Sequence, residues 1–159
     1  MFIYYFAQAD RSFEEAREIL SRLLEGLSDS ADIAYREGEE LRLRASAGRR
    51  QIAKTVHLDV GEMVELNDQS VVPITWEATG APSLFPRMEA ELILAPVSQS
   101  ITQIALRGSY KPPLGKMGEV ANRALLHRVA ESTVKRFVDR LRDAMVAWPR
   151  TSSSSAHVA

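Results

Sequence analysis

The chain of 159 residues contains no cysteine. That excludes a disulfide framework, a thiol nucleophile and cysteine-ligated zinc or iron-sulfur centres, and it suits a reducing cytoplasm, where the protein is expected to reside. Charge of one sign is equally scarce: 20 Lys plus Arg stand against 21 Asp plus Glu, a formal net charge of -1. A protein that holds nucleic acid by neutralising phosphates carries a basic excess, so no nucleic-acid partner is expected. Phosphate-cradling and nucleophile motifs are missing too, since no GxxxxGK[ST] run, no GxGxxG between strand and helix and no GxSxG elbow occurs. The histidines number three, His57, His127 and His157, without the spacing that brings several donors to one point. Neither a metal nor another cofactor is expected. The apolar start, residues 1–7, ends at Gln8 and Asp10 and is too short for a signal peptide or a membrane span, so no integral membrane association is expected.

What is present is an ordinary globular composition, 45% hydrophobic and 26% charged, in a length suited to one domain. Residues 1–7 read as a first strand, and their aromatics on both parities suit a strand covered on each side. Ser12 and Glu15 form a capping box that opens a helix. Phe13, Ala16, Ile19, Leu20, Leu23, Leu24 and Leu27 then fall on one stripe, and Gly26 with residues 28–30 marks the end.

From Glu39 the apolar period changes to two. Leu41, Leu43 and Ala45 precede a turn at Gly48-Arg49, followed by Ile52, Val56 and Leu58. Val72, Ile74, Trp76 and Ala78 predict another strand, as do Met88, Ala90, Leu92 and Leu94, and then Thr102, Ile104 and Leu106 within residues 100–110. The separators Asn67-Asp68, Gly80-Ala81-Pro82 and residues 96–99 are turn-like, so the strands form an antiparallel meander. Lys111-Pro112-Pro113 stops it, because proline lacks the amide proton a ladder needs. A long helix follows, with Leu126, Val129, Ala130, Thr133, Val134, Phe137, Leu141, Ala144, Met145 and Trp148 on its apolar stripe, and Pro149 ends it. The domain is expected to span residues 1–149. Residues 150–159 form a Ser-rich tail without apolar periodicity, expected to be disordered.

The run Gly108-Ser-Tyr-Lys-Pro-Pro-Leu-Gly-Lys-Met-Gly118, then Leu125-Leu-His-Arg-Val-Ala-Glu-Ser-Thr-Val134, with Val72-Pro-Ile-Thr-Trp-Glu-Ala-Thr79 and Leu84-Phe-Pro86, resembles bacterial members of the SRPBCC superfamily. That superfamily includes START-like, polyketide cyclase-like and birch pollen allergen-like proteins. The resemblance implies an α+β helix-grip fold, a curved antiparallel sheet of about six or seven strands wrapped around a long C-terminal helix, enclosing a hydrophobic cavity. A second short helix after the first strand, which that fold usually has, is only faintly written at residues 30–36.

The resulting expectation is a protein that binds or carries a small hydrophobic or amphipathic molecule, a lipid, polyketide or isoprenoid, between sheet and helix. Expected lining residues are Ile74, Trp76, Met88, Leu92, Leu126, Ala130 and Phe137, with Tyr110, Arg123 or His127 orienting the ligand. Each has a bland alternative: Trp76 in the core, Tyr110 as a cap on the core, Arg123 paired with Glu119. His57 and Glu77 stand on strands whose inward face parity leaves open. No catalytic residue is assigned. An enzyme of the cyclase or dehydratase type would need a His or Glu inside the cavity to move a proton. A packed interior would instead suit a protein-interaction module, and homodimerisation stays open.

Overall fold

Period-two burial organises the molecule around one face of a sheet. The structure, a computed structural model, describes residues 1–24, 27, 56–78, 87–110 and 120–150. In chain order these form β1 (Phe2–Ala9), α1 (Phe13–Leu23), β2 (Val56–Val60), β3 (Val64–Leu66), β4 (Gln69–Ala78), β5 (Met88–Ser98), β6 (Ile101–Tyr110) and α2 (Val120–Ala147). The six strands make one curved, open sheet in the order β1-β6-β5-β4-β2, with β3 also on β4, and every pairing is antiparallel. With α2 packed on the inner face, this is the α+β helix-grip architecture.

The inner face carries Leu58, Val72, Ile74, Trp76, Met88, Ala90, Leu92, Leu94, Ile104 and Leu106, all buried. From α2 come Val134, Phe137, Val138, Leu141 and Met145, and from α1 Ala16, Ile19 and Leu20. The α1 capping box forms as expected, with Glu15 N donating to Ser12 Oγ at 3.4 Å and Ser12 N donating to Glu15 Oε2 at 3.1 Å. Among the described residues no helix is long and apolar enough to cross a membrane.

Strand β1 corrects one expectation. It runs to Ala9, and it is covered on one side only: Ile3 and Ala9 are buried, whereas Phe2, Tyr4 and Phe6 are 63%, 49% and 48% exposed. The reason is topological. Both helices lie on the inner face, so even-numbered residues of this edge strand look out to solvent.

Two local features show how turn chemistry sets the register. Asn67 and Asp68 both adopt positive φ, 49° and 63°, and join β3 to β4 as a two-residue hairpin turn whose hand matches the strand twist. Pro73 sits inside β4 without breaking it. Its carbonyl accepts from Gly61 N at 2.8 Å, at the point where β2 has ended and β3 has not begun, so its missing N–H faces a gap in the neighbouring edge. The turn at Gly48-Arg49, the helix at residues 30–36, the stop at Lys111-Pro112-Pro113 and the tail beyond Arg150 lie outside the described residues.

Candidate functional site

Strand register brings three of the expected residues side by side. Trp76 on β4 stands opposite Met88 on β5, and Met88 stands opposite Tyr110 on β6. All three are buried on the inner face, and α2 crosses over them. Phe137 meets Trp76 edge to face, with centroids 5.4 Å apart and planes at 70°. Nearer the start of α2, His127 stacks against Tyr110 at 6.3 Å with planes 23° apart.

These two rings are also joined by a hydrogen bond, Tyr110 Oη to His127 Nδ1 at 3.0 Å. The His127 Nε2 atom lies 3.1 Å from Glu131 Oε1, one helical turn further on. Tyr110 Oη is also 3.2 Å from Met1 Sδ. A phenol has one proton, and an imidazole nitrogen accepts it better than a thioether does. We therefore assign Tyr110 as donor to Nδ1, which leaves Nε2–H to donate to Glu131. Burial, and after it the Glu131 carboxylate, hold the Tyr110 hydroxyl above its ordinary pKa, so it remains a proton donor at neutral pH.

The arrangement is an apolar wall with a polar end. His127 keeps 31% of its side chain exposed, so the chain of groups is reachable. Ala130 is partly buried against the core on the same helix. Thr133 shares the buried stripe of α2, and its hydroxyl has no hydrogen-bond partner. A buried hydroxyl left without a partner costs about 1–3 kcal/mol, which a bound polar group or a water would offset.

Other expected residues fall elsewhere. Leu92 and Phe137 have no exposed surface and Ile74 has almost none, as buried as the residues beside them on the inner face. Arg123 and Leu126 lie within α2, and their side chains are outside the described residues. His57 and Glu77 are register partners across β2 and β4, with side chains likewise outside. Sequence reasoning missed Glu131, although its position four residues after His127 on a helix was a readable signal. Among the described residues no three His, Asp or Glu side chains gather where a metal could sit.

On the opposite, outer face of the sheet a broad groove of about 780 Å³ opens between Phe2, Pro73, Glu89 and Arg107. An exposed ion pair, Arg107 Nη2 to Glu91 Oε2 at 2.5 Å, crosses its floor. It is shallow and solvated, unlike the enclosed space expected under the helix.

Comparison with solved structures bears on the fold. The chain is similar to the Zhui aromatase/cyclase from Streptomyces sp. R1128, with a TM-score of 0.53 and 11% identity over 91% of this chain and 93% of that one. It is similar also to a conserved protein from Geobacillus kaustophilus, with a TM-score of 0.52 and 13% identity over 91% and 95%. At these identities what is shared is the fold, and it is the helix-grip fold that the SRPBCC resemblance implies. No family model matches the chain, and no curated protein matches it.

Proposed function

We propose that this protein binds a small hydrophobic or amphipathic molecule between the sheet and α2, at the His127 end, holding its polar group against Tyr110, His127 and Glu131. The observation that carries the reading is the 3.0 Å bond between Tyr110 and His127 at the edge of an otherwise apolar face. Binding sites of this kind are mostly apolar with a few convergent polar groups. Trp76, Met88 and Ala130 would supply the apolar contact, and the unpartnered Thr133 hydroxyl a further anchor. The binding unit is the domain of residues 1–149, working in the cytoplasm.

The test is titration with anilinonaphthalene sulfonate, an apolar aromatic with one anionic group, followed by amide and side-chain NMR. Saturable shifts at Trp76, Tyr110, His127 and Ala130 are expected, weakened in Tyr110→Phe. Shifts confined to Phe2 and Arg107 on the outer face, or no saturable binding, would overturn the reading.

One observation favours a second reading, a cyclase or dehydratase. His127 bridges a phenol and a carboxylate, so its imidazole can take a proton at one nitrogen and release it at the other. Similarity of fold to an aromatase/cyclase is an analogy and adds only to its prior. Under this reading His127→Gln abolishes turnover of an aromatic polyketide precursor while leaving dye binding in place; under the carrier reading no turnover exists to lose.

A further inference from the structure

Strand β1 is an edge of the sheet, with β6 its one partner among the described strands. Met1 exchanges both main-chain bonds with Tyr110, N to O at 2.5 Å and O from N at 2.9 Å. The register then runs to Ala9 without a shift. In an antiparallel ladder bonded pairs alternate, so the odd-numbered residues of β1 direct their N–H and C=O groups to β6. The even-numbered ones, Phe2, Tyr4, Phe6 and Gln8, direct theirs to the open side. These same residues place their side chains on the solvated outer face.

Natural sheets protect such an edge with a charge, a proline, a bulge or a covering element. Residues 2–9 contain no charge and no proline, the register has no bulge, and the three aromatic residues are about half exposed. Among the described residues nothing pairs with this edge along the length of the strand.

We propose that the open edge of β1 pairs antiparallel with β1 of a second copy of this chain, about a two-fold axis at Tyr4. Antiparallel edge pairing is isologous, so one strand supplies both halves of the contact. Centred on Tyr4, it sets Tyr4 opposite the partner's Tyr4, and Phe2 opposite the partner's Phe6. All the outward N–H and C=O groups of these three residues then find partners, and six rings form one continuous ladder on the outer face. Rings that bury about 150–250 Å² when fully covered, and are about half exposed here, contribute at most roughly 500–800 Å² across six, since the ladder leaves their outward sides to solvent. With the strand edges added, the contact lies at or below the lower limit of about 1,200 Å² for a stable interface. The dimer is therefore weak and concentration-dependent.

Sedimentation velocity of the full chain over a dilution series tests this, with Tyr4→Pro and Phe6→Lys as variants. The proline removes an N–H that points to the open side and no bond to β6; the lysine adds the charge that guarded edges carry. Wild type is expected to pass from monomer to dimer as concentration rises, and each variant to weaken that step by about tenfold or more with an unchanged circular dichroism spectrum. Amide exchange at Tyr4 and Phe6 should slow with concentration while that at Ile3 and Tyr5 stays constant. A wild-type chain that remains monomeric at every concentration, or a dimer that Phe6→Lys leaves untouched, would overturn the proposal.

Discussion

Arg11, in the link between β1 and α1, donates from Nε to the main-chain carbonyl of Met145 at 3.1 Å, across 134 positions of sequence. Its Nη2 donates to the carbonyls of Val146, at 2.9 Å, and of Trp148. These are last-turn oxygens of α2 and its exit, groups that a helix leaves without internal partners and that carry its negative pole. A cation there, only 4% exposed, replaces the water those oxygens would otherwise need.

Arg11→Ala should therefore cost about 1–3 kcal/mol, since it leaves one buried and two partly buried acceptors unpaired. Urea denaturation followed by circular dichroism measures it. Arg11→Lys should recover part of the loss, because one ammonium reaches fewer of the three oxygens.

Tyr110 should titrate late. Its folded pKa is raised above 10.0, by burial first and by Glu131 second. Stability from a group raised in this way is fully present below the unfolded value and declines as pH climbs through the folded one. Ultraviolet titration of the phenols should show one component ionising at higher pH than the rest, absent in Tyr110→Phe. A wild-type curve that superimposes on that of the variant apart from amplitude would contradict the assignment.

Asp139 makes the opposite prediction. Burial acts to raise its carboxyl, and hydrogen bonds from Lys135 Nζ at 2.7 Å and Tyr5 Oη at 3.1 Å outweigh burial and hold it below its ordinary 3.8. A depressed carboxyl contributes stability that is present above its unfolded value and disappears as pH falls through the folded value. Asp139→Asn should cost about 1 kcal/mol at neutral pH and flatten the acid limb of the stability profile. The measurement is the denaturation midpoint between neutral pH and pH 3.

Gly108 leaves no room for a methyl group. A Cβ built there would lie 2.9 Å from Ala90 Cβ and 3.2 Å from the Glu89 carbonyl oxygen. Neither neighbour is the loose end of a long side chain, so Gly108→Ala should destabilise the fold by about 1–3 kcal/mol. Gly108→Ala combined with Ala90→Gly should restore much of that loss, and thermal unfolding of the three variants decides it.

The fold was legible wherever a periodic pattern met a single covered face. The inner residues of β4, β5 and β6, the α1 capping box and the Asn67-Asp68 turn are all readable from neighbouring positions. Strand β1 misled because parity shows which residues share a face and cannot show whether a second layer lies over it; Phe2, Tyr4 and Phe6 looked like core. Arg11 was unreadable, since its acceptors are main-chain oxygens that leave no mark in side-chain sequence. Tyr110 and His127 were each picked out separately, and only the packing of α2 on β6 turns two candidates into a bonded pair.

Pairing β1 with β6 also sets an order on synthesis. Strand β1 has its ladder partner 109 positions further along the chain, which at about 5–20 residues per second is a wait of roughly 5–20 s. During that interval the aromatic residues of β1 have no ladder partner, so the register of the whole β1–β6 edge is set only after β6 has been made.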